Sequence, residues 1–212
     1  MSNSERPERS DAMKHPTDTN LILGLEQGAI PSFFQLLQHG VIMKAQVRCT
    51  VKDFLCHQLG ISREYVGERI QTIFLNGKAV DDADSAVLND GSRLALSASM
   101  PGLAGATLRK GGFFGSMRNQ ISHDEHMKPE PLQEGMIFLK LFNLIAKELG
   151  PMLLKRGVWI TGDRLEDFFR KQSDSFWARC KMASKNGEHI VPNELAGLQW
   201  SEKQVFLQLQ DL

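Results

Sequence analysis

Apolar and polar positions along this chain follow two periods, and the period changes several times. Val41, Met43, Ala45 and Val47 recur at every second position, which predicts a strand over 41–47 with these four on one face. Leu21 to Leu25 reads as a further short strand. Between the two, Pro31 sits at a first helical turn, FFQLLQH follows, and Gly40 closes a short helix. Thr50 caps the next helix, with Asp53 placed to return the bond; Val51, Phe54, Leu55 and Leu59 form its apolar stripe and Gly60 ends it. Ser62 to Glu68 suits another helical turn. Ile70 to Leu75 is the clearest strand of the chain, closed by an Asn76-Gly77 turn whose residues tolerate positive φ. An acidic loop (Asp81, Asp82, Asp84), a second turn at Asn89-Asp90-Gly91 and a strand over Arg93 to Ser97 complete the first half.

Beyond it the pattern changes. Gly102, Gly105, Gly111, Gly112 and Gly115 crowd one segment, which predicts a loop or a close-contact region. His123 to Pro131 is polar with two prolines and reads as a linker. The remainder has helical spacing. Ile137, Leu141, Leu144, Ile145 and Leu149 mark a helix over 134–149, stopped by Gly150-Pro151. Asp163 caps a helix through Gln172 with Leu165, Phe168 and Phe169 inward, and Phe176, Trp177, Cys180 and Met182 continue the helical region. Ser201-Glu202-Lys203-Gln204 has the pattern of a capping box opening a final helix that buries Val205, Phe206 and Leu209. Trp159, Trp177 and Trp200 with Phe168, Phe169 and Phe176 predict an aromatic core, part of which could line a partner groove. No internal repeat is evident.

Composition narrows the function classes. The 25 Lys+Arg balance the 25 Asp+Glu, so no global field draws in nucleic acid, which is not an expected partner. Three cysteines (Cys49, Cys56, Cys180), none in a C-x-x-C pair, fit a reducing compartment better than a disulfide scaffold. The polar N-terminus lacks the apolar core of a secretory signal. The longest apolar stretch, Met136 to Leu154, is interrupted by Lys140, Asn143, Lys147, Glu148 and Pro151, so no membrane partner is expected. The expectation is a cytoplasmic protein.

The helix TVKDFLCHQLGI, the strand and turn IQTIFLNGKAV, the turn and strand LNDGSRLALS and the glycine pair Gly111-Gly112 together resemble the β-grasp, ubiquitin-like sulfur carriers of thiamine and molybdopterin synthesis, over residues 41–112. The resemblance implies a β-grasp fold there. Three departures stand beside it. The family opens with a β-hairpin, whereas here a helix over Pro31 to His39 separates the first two strands. The family's acidic residue after Asp-Gly is Ser92. Its Gly-Gly is the chain terminus, whose carboxylate carries the sulfur; here a further 100 residues follow Gly112.

No catalytic constellation emerges. Arg109-Lys110-Gly111-Gly112 would become a carrier tail only by cleavage after Gly112. Arg109, Lys110 and Arg118 frame Phe113 and Phe114 among glycines whose backbone N–H groups could cradle an anion, although no P-loop or dinucleotide fingerprint is present. His123-Asp124-Glu125-His126 has metal-ligating side chains without identifiable third and fourth ligands. Cys56 and His57 are adjacent and so do not face each other on a helix. Asp81, Asp82 and Asp84 lack calcium-loop spacing.

The sequence therefore predicts an α+β protein. Residues 1–20 form a tail without fixed structure, 21–115 a β-grasp-like domain, 116–131 a linker and 132–212 a mainly helical domain. The expected function is a non-enzymatic protein-interaction module or complex subunit without cofactor or metal. It would hold a protein partner through the sheet face or the loop Arg109, Lys110, Gly111, Gly112, Phe113, Phe114 and Arg118. The alternatives are a carrier-like precursor cleaved after Gly112 and an enzyme with an interdomain anion site at Arg109, Arg118 and His123.

Overall fold

The computed structural model describes residues 19–26, 28–99, 102–112, 131–200 and 204–212. The first half folds much as its pattern predicts. β1 (Thr19–Leu25) leads through a 3₁₀ turn with Pro31 near its start to α1 (Phe34–His39), which Gly40 ends at φ +106°. β2 (Val41–Val47) buries Val41, Met43, Ala45 and Val47 as a set. After β3 (Cys49–Thr50), the Thr50 hydroxyl accepts the Asp53 N–H at 3.0 Å and caps α2 (Val51–Asp53), which continues as a wider turn over Phe54–Gln58. α3 (Arg63–Glu68) is capped by Ser62. β4 (Thr72–Leu75), the Asn76-Gly77 turn, β5 (Lys78–Ala79), β6 (Val87–Leu88) and β7 (Arg93–Ser97) follow.

The second half overturns the expectation of a mainly helical domain. After α4 (Gly102–Leu108), residues 133–141 form strand β8 (Gln133–Leu141). Ile137 and Leu141 satisfy both the helical and the alternating pattern. Pairing with β2 on one side and β7 on the other selects the strand, which buries Ile137, Leu139 and Leu141 together. α5 (Asn143–Arg156) then runs through Gly150-Pro151 instead of stopping there. Gly150 lets the helix lie close to α1, since a Cβ on it would come 2.8 Å from Leu37 Cδ1. The helix ends at Gly157, at φ +98°. β9 (Val158–Thr161), α6 (Gly162–Arg170), α7 (Asp174–Trp177), β10 (Cys180–Lys185) and β11 (Glu188–Ile190) follow. The segment expected as a final helix is β12 (Gln204–Asp211), burying Val205, Leu207 and Leu209 at alternate positions; Ser201 to Lys203 lie outside the described residues. The fold is thus mixed α/β, built on one ten-stranded mixed sheet of order β11-β10-β1-β12-β9-β2-β8-β7-β4-β5.

A repeat that the sequence concealed organises this sheet. With the separate two-stranded sheet β3-β6 set aside, elements β1-α1-β2-α2-α3-β4-β5-β7 and β8-α5-β9-α6-α7-β10-β11-β12 run in the same order. Three short matches mark it: Leu36-Leu37-x-x-Gly40-Val41 against Leu153-Leu154-x-x-Gly157-Val158, Asp53-Phe54-Leu55 against Asp167-Phe168-Phe169, and Asn76-Gly77 against Asn186-Gly187. Both Asn-Gly turns have positive φ at both residues, 53° and 82° in one, 53° and 86° in the other. The repeats exchange their first strands. β1 lies parallel to β12 in the second repeat's half of the sheet, and β8 lies parallel to β7 in the first repeat's half. The halves meet where β2 pairs with β9 at Ile42 and Trp159.

The helices α1, α5 and α6 pack on one face of the sheet, where the apolar side chains of the strands form a continuous core. An aromatic cluster closes its second-repeat end. Phe33 lies 4.7 Å from Phe168, Phe176 4.9 Å from Trp177, and Phe169 6.0 Å from Trp200, each between ring centroids. Each such pair contributes about 0.5–1.5 kcal/mol beyond its buried area. No helix of the described residues is long and apolar enough to cross a membrane.

Candidate functional site

The Arg109 to Gly112 segment is a docked turn, not a free tail. It closes α4, with Gly111 at φ +60° and the Gly112 N–H donating to Arg109 O at 3.0 Å. The Lys110 N–H donates to Gln71 O at 2.8 Å, and the Gly111 N–H to Asp81 Oδ1 at 3.0 Å. Arg109 Nε donates to Gln71 Oε1 at 2.6 Å. Lys110 Nζ donates to Val66 O at 2.8 Å; burial, and then the charge of Lys52, push its pKa below the ordinary lysine value. Two cavities, of about 210 and about 550 Å³, adjoin along this segment and share Gln71, Ala106 and Arg109 in their walls. Phe113, Phe114, Arg118 and His123 to His126 lie outside the described residues.

The other candidates resolve into local structure. His57 Nδ1 lies 3.4 Å from Asp53 Oδ1, one helical turn back, on an exposed surface. The Cys49 thiol donates to Gln46 O at 3.1 Å and accepts from Gln58 Nε2 at 3.4 Å. In the acidic loop Asp82 Oδ1 accepts the Asp84 N–H, Asp84 pairs with Lys52 at 2.7 Å, and Asp81 holds Gly111. Among the described residues no three His, Cys, Asp or Glu side chains gather as a metal site.

The second face of the sheet carries a constellation that sequence reasoning missed. Register places Arg93 opposite Phe138, Phe138 opposite Ile42, Ile42 opposite Trp159, Trp159 opposite Phe206 and Phe206 opposite Asn20. This row crosses the junction of the two repeats. Ile42, Phe138, Trp159 and Phe206 are half-buried, while the alternate positions of the same strands belong to the core. Trp159 and Phe206 have ring centroids 4.6 Å apart.

Cations border the row. Arg93 lies 4.7 Å, Lys140 5.7 Å and Arg164 5.8 Å from the Phe138 ring, and Lys44 lies 5.7 Å from the Trp159 ring. Among the described residues, no ion pair engages Lys44, Arg93 or Lys140. Among the described strand residues, the carboxylate on this face is Glu134, opposite Gln46. The surface thus combines half-buried apolar area with positive charge at its margin. The sequence signal was the alternation Val158, Trp159, Ile160 and Val205, Phe206, Leu207, which puts Trp159 and Phe206 on the face opposite the core.

Comparison of the chain with protein-family models, with curated proteins and with solved structures finds no match in any of the three.

Proposed function

We propose that this protein is a non-enzymatic interaction module that holds an acidic polypeptide against the second face of its sheet. The carrying observation is the row Phe138, Ile42, Trp159, Phe206 bordered by Lys44, Arg93, Lys140 and Arg164. Four cations against Glu134 make the surface complementary to carboxylates, although the whole chain carries no net charge. Aromatic residues and arginine are enriched where partners are anchored. The resemblance of residues 41–112 to β-grasp proteins agrees with this reading. Where the family has an opening hairpin, β2 here finds its antiparallel partner in β8, from the other repeat.

The carrier-precursor reading finds less support. Its Gly111-Gly112 pair would have to leave contacts with Arg109 and Asp81 before a protease could cut there.

A photo-crosslinking amino acid at position 44 tests the proposal in the protein's own cells, with the exposed position 147 on α5 as control. The expected adduct is an acidic polypeptide, formed from position 44 only and lost when Arg93 and Lys140 are changed to Glu. No adduct, the same adduct from both positions, or an adduct with nucleic acid overturns it.

A further inference from the structure

We propose that the groove beneath α4 binds a small oxyanion, a carboxylate or a phosphate, through Arg109, Lys110, Gln71 and Thr72. This site is separate from the aromatic row. Gln71, Thr72, Ser99, Gly102, Gly105, Ala106 and Arg109 line its inner cavity of about 210 Å³, and Gly67, Lys110, Gly111 and Gly112 extend it into the outer one. No carboxylate side chain lines the inner cavity among the described residues, and at the outer one Asp81 Oδ1 accepts the Gly111 N–H at 3.0 Å.

Three features of the groove point to an anion. Arg109 is oriented by its Nε bond to Gln71 Oε1, which fixes the guanidinium plane. Lys110 Nζ donates to Val66 O at 2.8 Å beside the outer cavity, and burial, then the charge of Lys52, lower its pKa, a penalty that an anion nearby offsets. Thr72 is 1 % exposed and its hydroxyl has no hydrogen-bond partner. A buried polar group without a partner carries a desolvation cost that a ligand oxygen removes. The wall itself is open, since a Cβ on Gly67, Gly102 or Gly111 would meet nothing within 4 Å. The inner volume suits a ligand of a few heavy atoms.

Titration of the ¹⁵N-labelled full chain with inorganic phosphate and, separately, with succinate tests this, with sodium chloride at matched ionic strength as control. The expected result is saturable shifts at Gln71, Thr72, Ser99 and Gly111 with one or both probes. The probe that binds tighter identifies the oxyanion as phosphate or carboxylate. Arg109→Gln should weaken binding roughly tenfold or more, the scale of a lost charge-assisted hydrogen bond. Thr72→Val, close to isosteric, should weaken it less and keep the fold by circular dichroism. Absence of saturable shifts with both probes, or binding by both variants as tight as by the parent chain, overturns the proposal.

Discussion

A Cβ on Gly40 would lie 2.2 Å from Cζ of Phe138, so the ring fills the space of the side chain that Gly40 lacks. The second repeat has the same relationship, where a Cβ on Gly157 would lie 2.1 Å from Cζ of Phe206. Each glycine ends a helix at positive φ and opens a central strand, and each lets an aromatic ring of the second face lie over its backbone.

Replacing Gly40 by Ala should therefore destabilise the protein by about 2–4 kcal/mol, combining backbone strain with a displaced ring. Urea unfolding of Gly40→Ala, Phe138→Ala and the double variant checks this. The double variant should lose less than the two single losses together, because the steric part vanishes with the ring. Losses that add within about 0.5 kcal/mol would show that the ring is not the cause.

Glu148 on α5 ties to α3. Arg69 donates to it through Nε and Nη2, and the Tyr65 hydroxyl donates to it at 2.6 Å. The bonds from Arg69, and then from Tyr65, hold the Glu148 carboxyl down at about 2. A folded value below the unfolded one means that the contribution to stability is present above the ordinary carboxylate range. It is lost as pH falls from about 4.5 towards 2. Glu148→Gln should flatten the acid limb of a plot of urea midpoint against pH over that window. An unchanged limb would rule the tie out as a source of acid sensitivity.

The three thiols should differ in reactivity. Burial raises the Cys180 thiol to about 11, and burial followed by the Asp53 charge raises Cys49, while Cys56 is half-buried. A disulfide reagent at pH 8 should modify Cys56 first and reach the other two only as the protein unfolds. Equal rates at all three positions in the native state would contradict the burial described for Cys49 and Cys180.

Legibility divided along the chain for physical reasons. Thr50, Gly40, Gly60 and the Asn76-Gly77 turn were readable because their signals are local: a hydroxyl near an N–H, or a backbone needing positive φ. β8 and β12 were misread as helices because their apolar residues satisfy two periods at once and only distant strands decide between them. The repeat was hidden because its matches are short, and the loops between them differ in length. Arg109 to Gly112 was singled out for its glycines, and the segment does border a cavity. The aromatic row was missed because its residues come from four separate strands, and register alone brings them together.

The exchange of first strands between repeats has a consequence for any cut in the chain. Suppose a protease site were introduced between Gly112 and Pro131. The amino-terminal piece would keep β1 wedged between β10 and β12, and the carboxy-terminal piece would keep β8 between β2 and β7. Neither fragment could leave without breaking two ladders at each exchanged strand, so the nicked protein should elute as one particle and part only in denaturant. The two repeats are interlocked like clasped hands, each supplying an inner strand to the other's half of the sheet.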